Sequence, residues 1–154
     1  MGTTWSKFET GSLPYEDMAI PRDELSLLIR DWYYAASEGH VDDFLKFFVT
    51  DGRTSYFGTD PSEIWYGFDQ IKENLEDNFR TYGKWNIMSK NLKVHQTGDM
   101  AVFSDEVELS ARFQESSIAE DARMSGVLVR ENGEWKILQA HFSLGILNSE
   151  LLPG

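Results

Sequence analysis

Length and charge already limit what this chain can do. Its 154 residues correspond to one domain, and 41% of them are hydrophobic, which is enough to build a core. The 26 acidic and 14 basic residues give a formal net charge of −12, and the densest basic stretch, residues 84–93, holds three lysines. Nucleic acids and anionic membrane surfaces are bound by clustered Lys and Arg, so we expect neither as a partner.

The absence of cysteine excludes disulfides, cysteine-ligated zinc and thiol nucleophiles. No apolar run approaches the roughly 20 residues of a membrane-spanning helix. Residues 1–16 lack the apolar core of a signal peptide. We therefore expect a soluble, cytoplasmic protein.

The chain is predicted to begin with an irregular N-terminal arm over residues 1–20, which mix Gly, Ser, Thr and Pro with scattered aromatic residues. A first helix is predicted over residues 22–38. Pro21 and the acids after it suit a helix start, and Gly39 suits its end because glycine adopts the left-handed conformation without steric cost. One face of this helix carries apolar residues at helical spacing: Leu25, Leu28, Ile29, Trp32 and Ala36.

Two more helices and two short strands follow. Helical spacing continues in a short second helix through Val41, Phe44, Leu45 and Phe48. Short strands are predicted over residues 52–58 and 64–66, with a turn of Thr, Asp, Pro and Ser between them. The third helix follows Gly67, ends at Gly83 and has one apolar face: Phe68, Ile71, Leu75, Phe79 and Tyr82.

Beyond Gly83 the hydrophobic period changes to two, which is typical of strands. One strand is predicted around Leu92 and Val94, and three more over residues 101–113, 122–130 and 135–146, the last two joined by an Asn-Gly hairpin turn. Residues 148–154 are predicted to be a C-terminal tail. Helices followed by antiparallel strands indicate an α+β domain over residues 21–147 rather than a doubly wound parallel sheet.

Several local sequences resemble one superfamily in their order and spacing. They are residues 35–42 (AASEGHVD), 48–51 (FVTD), 57–63 (FGTDPSE), 65–67 (WYG), 132–137 (NGEWKI) and 141–143 (HFS). Together they resemble the nuclear transport factor 2-like superfamily over about residues 22–147, and residues 57–63 look most like its SnoaL-like branch. The resemblance implies a cone: a curved antiparallel sheet wrapped around a long N-terminal helix, with two further helices and an apolar pocket. It also implies a homodimer formed through the outer face of the sheet.

The same superfamily includes ketosteroid isomerase, whose chemistry uses a carboxylate base together with a tyrosine and a protonated aspartate that stabilise an oxyanion. In an ungapped match the tyrosine falls at Trp32, the base at Tyr56 and the protonated aspartate at Ser125. None of the three groups is retained, although a shift of one residue would bring Tyr33 to the first position. We therefore do not expect steroid isomerase activity by that mechanism.

The strand over residues 101–113 is interrupted by one acid. Asp105 shares its parity with apolar neighbours: Ala101, Phe103, Val107, Leu109, Ala111 and Phe113. Burial in this face would raise the pKa of Asp105 and make it a usable base or hydrogen-bond donor. The alternatives are an ion pair with Arg112 or Arg123, or a face that is open to water at this point.

Histidine supplies the second candidate proton carrier. His141 shares the parity of Trp135 and Ile137 in the last strand, and imidazole titrates near neutral pH. The alternative is a histidine that is hydrogen-bonded within a dimer interface. His40 and His95 are dispersed and lack metal-ligand spacing, so we expect no metal site.

We assign further residues to the wall of the implied pocket. Four are aromatic and would bind a flat, apolar ligand: Trp32, Tyr56, Trp65 and Phe142. For Trp32 the apolar stripe of its helix favours ordinary core packing over a pocket role. Ser125 could donate a hydrogen bond to a ligand or bond to the backbone. Arg123 could bind an acidic ligand through its planar guanidinium or be solvated.

Three functions fit these observations. The first is binding of a small apolar or aromatic ligand in the cone pocket, with no reaction assigned. The second is a cofactor-independent acid–base enzyme (isomerase, cyclase or dehydratase) with Asp105 and His141 as proton carriers; an apolar cavity bearing a carboxylate would favour it. The third is an assembly domain like the association domain of calmodulin-dependent kinases, which a closed cavity would favour. No nucleotide-binding or serine-hydrolase motif occurs, so we expect no cofactor.

Overall fold

The structure, a computed structural model, describes residues 23–152. Within this range the helices are α1 (Glu24–Glu38), α2 (Val41–Leu45), α3 (Phe68–Tyr82) and α4 (Asn148–Leu151). The strands are β1 (Ser55–Phe57), β2 (Ile64–Tyr66), β3 (Trp85–Ser89), β4 (Lys93–Thr97), β5 (Met100–Phe113), β6 (Ser116–Glu131) and β7 (Glu134–Leu144). The predicted arm over residues 1–20 lies outside the described residues.

The predicted α+β class is confirmed. The strands form one curved, unclosed sheet in the order β2-β1-β7-β6-β5-β3, and β4 also pairs with β5. All neighbours are antiparallel except β1 and β7, which run parallel. The buried face of the sheet packs against α1, α2 and α3 to form the hydrophobic core. No helix within residues 23–152 is long and apolar enough to cross a membrane.

Several boundaries differ from the sequence prediction because long-range pairing sets them. The single strand expected before Thr97 is two strands: β3 pairs with residues 107–111 of β5 and β4 with residues 100–104. Strand β6 begins at Ser116 instead of residue 122, because its first residues continue the ladder with β5. Strand β1 is shorter than residues 52–58, β7 ends at Leu144, and the predicted tail contains the short helix α4.

Helix α1 begins at Glu24, two residues later than predicted, because Asp23 caps it. The Asp23 carboxylate accepts hydrogen bonds from the Ser26 backbone N–H at 3.0 Å and from the Ser26 hydroxyl at 2.8 Å. At the other end Gly39 has a φ of 74°, and its N–H donates to the carbonyl of Ala36. The cap at each end limits the helix to the segment that covers the sheet.

An aromatic cluster joins α1 to the sheet. Trp32 is fully buried, stacks on Phe44 at 5.0 Å between ring centroids, and meets Phe48 and Phe103 edge to face. Phe103 lies against β6 at Gly126, where a Cβ atom would lie 2.6 Å from Cζ of that ring. Glycine is needed there because a Cβ would also clash with the backbone carbonyl oxygen of Gln139 in the neighbouring strand, which cannot move aside as a side chain can.

A β-bulge in β7 changes which residues face the core. The pairing of β6 with β7 shifts register at this point, since Val127 is opposite Gln139 while Leu128 is opposite Ile137, leaving Leu138 unpaired. Trp135 and Ile137 are buried before the bulge, and Ala140 and Phe142 are buried after it. The predicted parity of this strand was therefore wrong beyond residue 138, because one extra residue inverts the alternation.

The outer face of the sheet exposes apolar side chains that a second copy of the chain could cover. Tyr66, Met100 and Val102 are exposed by 61%, 49% and 54%.

Homodimerisation through this face stays a prediction. We expect sedimentation equilibrium at micromolar concentration to give the mass of a dimer, and Val102→Glu to give a monomer because it introduces a charge into the interface. The exposed Ile146→Glu variant, outside the sheet, should remain dimeric, and a purely monomeric wild-type protein would contradict the prediction.

Candidate functional site

The cone holds a pocket of about 350 Å³ between α3, the β1–β2 connection and the sheet. Six aromatic side chains form much of its wall: Phe44, Tyr56, Phe79, Tyr82, Trp85 and Phe142. Smaller apolar residues complete it: Ala36, Pro61, Leu75, Ile87, Leu109, Ile118 and Leu144. Ile118 and Leu144 are each 40% exposed, so they lie where the pocket meets solvent. The open, predominantly apolar shape is typical of small-molecule sites.

Polar side chains enter the pocket mainly from the β1–β2 connection. Glu63 accepts a hydrogen bond from the backbone N–H of Asp60 at 2.9 Å, and its second carboxylate oxygen accepts one from the Asn78 amide of α3 at 2.9 Å. Gly58 leaves room for this carboxylate, since a Cβ at that position would lie 2.5 Å from Glu63 Oε1. The connection is therefore built to hold the Glu63 side chain against the pocket.

Tyr56 is the most deeply buried polar group of the wall. Its side chain is stacked on Trp65, with ring centroids 5.2 Å apart, and the residue is 7% exposed. Its hydroxyl makes no hydrogen bond within residues 23–152. Burial, with a further contribution from the negative charge of Glu63, raises the pKa of Tyr56 well above its usual range, so the group is a neutral phenol.

Of the four aromatic residues assigned to the pocket from the sequence, Tyr56 and Phe142 line it. Trp32 and Trp65 do not. Trp32 lies in the aromatic cluster, and its indole N–H has no hydrogen-bond partner among the described residues. Trp65 packs behind Tyr56. Both assignments are corrected for the same reason: the apolar stripe of α1 and the buried side of β2 are used for packing within the core.

Asp105 lies on the buried face of β5, but it does not line the cone pocket to which it was assigned from the sequence. Its carboxylate sits where β3 ends and β4 begins, and it accepts hydrogen bonds from the Tyr33 hydroxyl at 3.0 Å and from the Asn91 backbone N–H at 2.9 Å. Burial raises the pKa of Asp105, and hydrogen bonds from Ser89, Asn91 and Tyr33 partly offset that effect. These partners are uncharged. The carboxylate of Asp105 therefore does not form the alternative considered above, a buried ion pair with Arg112 or Arg123.

Arg123, Ser125 and His141 lie on the opposite, outer face of the sheet. Arg123 and Ser125 alternate with the buried residues of β6, and the bulge in β7 turns His141 outward. Ser125 is paired directly with His141 across the strands, and all three residues border an open depression of about 500 Å³. Asp105 also borders this depression, but its carboxylate is bonded to Tyr33 of α1. The structure therefore does not bring the His141 ring and the Asp105 carboxylate together in the cone pocket.

Sequence reasoning missed Glu63 and Asn78, whose side chains are hydrogen-bonded to each other on the pocket wall. The signal for Glu63 was present, because residue 63 ends the segment 57–63 that carried the SnoaL-like resemblance. Its importance was hidden because acids beside an Asp-Pro-Ser turn are usually solvated. Among residues 23–152, no group of three or more His, Asp or Glu side chains is arranged to hold a metal ion.

A curved, unclosed sheet packed on a long helix and enclosing an apolar pocket is the cone fold of nuclear transport factor 2-like proteins. Residues 26–147 match the SnoaL-like domain family, and the chain belongs to that family. No curated protein has significant sequence similarity to it.

Solved structures with the same fold have diverse descriptions. A nuclear transport factor 2-like superfamily protein from Salmonella enterica is 21% identical with a TM-score of 0.73, covering 81% of this chain and 91% of its own. A protein from Streptomyces avermitilis described as a candidate dehydratase is 13% identical with a TM-score of 0.74, covering 80% and 96%. A protein from Xanthomonas campestris described as a candidate calcium/calmodulin-dependent kinase II association domain is 20% identical with a TM-score of 0.72, covering 82% and 92%. At these identities the likeness shows the fold alone.

The raised pKa of Asp105 has a consequence for stability. A carboxyl group whose pKa is higher in the folded than in the unfolded state binds its proton more tightly when folded. Its contribution to the free energy of unfolding therefore falls as pH rises from the unfolded pKa, about 3.9, through the folded one. We expect the wild-type protein to lose stability relative to Asp105→Asn across this range, as measured by urea denaturation at several pH values.

The Tyr33 hydroxyl provides an internal check on this prediction. Tyr33→Phe should raise the pKa of Asp105 further, as followed by NMR of the carboxyl group, because the hydrogen bond that it removes lowers that pKa. It should also reduce the free energy of unfolding by about 1.5–3 kcal/mol. Tyr66→Phe, at an exposed site, should change neither quantity. A depressed pKa of Asp105 together with a large stability loss in Asp105→Asn would contradict this account.

Proposed function

We propose that the protein binds a small, largely apolar molecule of one or two rings in the cone pocket. The observation that carries this proposal is the pocket itself, with about 350 Å³ of space, aromatic walls and an opening beside Ile118 and Leu144. Ligand sites usually measure roughly 300–1,000 Å³ and combine apolar walls with a few placed polar groups. This pocket lies at the small end of that range, which limits the size of the ligand. Tyr56, Glu63 and Asn78 supply the polar groups.

The proposal is tested with naphthalen-1-ylmethanol, a neutral two-ring compound, by calorimetric titration and by NMR of the protein. We expect saturable binding that shifts the resonances of Tyr56, Phe79 and Leu109. Ile118→Trp should weaken binding about tenfold or more, because it fills the opening of the pocket and excludes part of the ligand. Ile146→Trp, a similar change at an exposed site away from the pocket, is the matched control and should leave affinity unchanged. Absence of binding, or equal effects of the two variants, would contradict the proposal.

A second candidate function is a cofactor-independent acid–base enzyme. Its support is that the Glu63 carboxylate and the neutral phenol of Tyr56 both lie on the wall of the same apolar pocket. In this reading Glu63 would take a proton from carbon next to a carbonyl group, and Tyr56 would donate a hydrogen bond to the resulting enolate oxygen. Asp105 and His141 would have no part in this chemistry, since neither lines the pocket.

This second candidate predicts exchange of the acidic C–H protons of 2-tetralone, a bicyclic ketone, in deuterated water. We expect wild-type protein to accelerate exchange over protein-free buffer and Glu63→Gln to lose most of the acceleration, about 100-fold or more, because the base is removed. Glu108→Gln, on the outer face, is the control for loss of one negative charge. Exchange at the buffer rate with the wild-type protein would exclude this reaction without affecting ligand binding.

Assembly is compatible with ligand binding and does not replace it as the proposed function. An open pocket favours a ligand over a purely structural role, whereas the exposed apolar residues of the outer face favour a second copy of the chain there. We therefore propose a homodimer in which each chain keeps its own pocket. This arrangement is supported by the position of the pocket on the inner side of the sheet.

A further inference from the structure

The charged groups of the cone pocket all have the same sign. Of the described residues that line it, Asp60 and Glu63 are acidic, and none is Lys, Arg or His. Hydrogen bonds from the side chain and backbone of Ser62 lower the pKa of Asp60, so this carboxyl is ionised at neutral pH. Neither carboxylate takes part in an ion pair within residues 23–152. Asp60 is exposed and Glu63 is partly buried, and no described cationic side chain pairs with either negative charge at the pocket.

The wall beside these carboxylates is aromatic. Tyr82 and Trp85 lie together on the pocket wall, with ring centroids 5.3 Å apart, and Phe79 lies one turn earlier in α3. The faces of such rings carry partial negative charge and attract organic cations, most strongly when water is displaced. An anionic ligand would meet both the carboxylates and the ring faces unfavourably, whereas a cationic ligand would meet both favourably.

Tyr56 is an independent sign that a polar ligand group belongs in the pocket. The residue is more than nine-tenths buried and lines the wall, yet its hydroxyl has no hydrogen-bond partner in the described part of the chain. A hydroxyl on a pocket wall that no protein group binds is free to bond to a ligand with an N–H or O–H group. As a neutral phenol, Tyr56 can accept such a hydrogen bond as well as donate one.

We infer that the ligand of the cone pocket is an organic cation, an amine or ammonium group carried on an aromatic or apolar body, with its charge at Glu63 and Asp60 and its rings against Tyr82 and Trp85. This inference rests on the proposed ligand-binding function and specifies its ligand class. The Glu63 carboxylate is held in place by the Asp60 N–H and the Asn78 amide, so it is oriented before a ligand binds.

Three compounds with the same two-ring body separate charge from size: naphthalen-1-ylmethylamine, which is protonated at pH 7, naphthalen-1-ylmethanol, which is neutral, and 1-naphthoate, which is anionic. By calorimetric titration at pH 7 we expect the ammonium compound to bind roughly tenfold more tightly than the alcohol, and the carboxylate most weakly. Glu63→Gln and Asp60→Asn should each reduce the advantage of the ammonium compound by about threefold or more while leaving the affinity for the alcohol unchanged.

The overall net charge of −12 attracts any cation, so a control variant must separate this general attraction from the effect of the carboxylates in the pocket. Glu108→Gln removes one carboxylate on the outer face of β5, behind the pocket residue Leu109, and should leave the preference intact. Equal losses in Glu63→Gln, Asp60→Asn and Glu108→Gln would overturn the inference in favour of long-range attraction. Tighter binding of the alcohol than of the ammonium compound would overturn it while the proposed function stands. If none of the three compounds binds, the proposed function fails, and this inference fails with it.

Discussion

The β-bulge in β7 is the constraint on which the arrangement of the inner and outer faces depends. Strand β7 pairs with both β6 and β1, and it must bury Trp135 and Ile137 at one end and Phe142 at the other. In a regular strand side chains alternate between the two faces, so Ile137 and Phe142, which are an odd number of residues apart, would lie on opposite faces. The unpaired Leu138 restores the match, and the same change of parity turns His141 to the outside. One extra residue thus places Phe142 in the pocket and His141 on the outer face.

A second constraint lies at the opposite edge of the sheet, where β3 and β4 pair end to end with β5. The break between them leaves backbone N–H groups near the core, and the buried carboxylate of Asp105 accepts one of them, from Asn91. The Tyr33 hydroxyl from α1 binds the same carboxylate. A buried acid in an apolar strand is therefore explained here by the strand break that it closes, and it links the sheet edge to the helix.

The pocket combines groups from parts of the chain with different physical roles. Its apolar wall comes from residues that pack the core, such as Phe79 and Phe142, whereas its charge comes from the short β1–β2 connection. The packed wall forms the cavity, and under the proposed function the connection would supply the groups that select a ligand. This division fits a family in which one fold accompanies many described activities, because a short connection can change without disturbing the core.

Local sequence determined the helices, the alternating strands and the α+β class. Helix spacing, the caps near Asp23 and Gly39, and period-two alternation are properties of neighbouring residues, so α1, α3 and most of β5 were predictable. The site was less predictable. The parity of Asp105 grouped it with apolar residues of β5 without deciding whether that face is buried, and its partners Tyr33 and Asn91 come from distant segments. Only tertiary pairing decided the bulge at Leu138, the outward position of His141 and the position of Glu63 on the same pocket as Tyr56, because register and pocket shape depend on contacts between residues far apart in the chain.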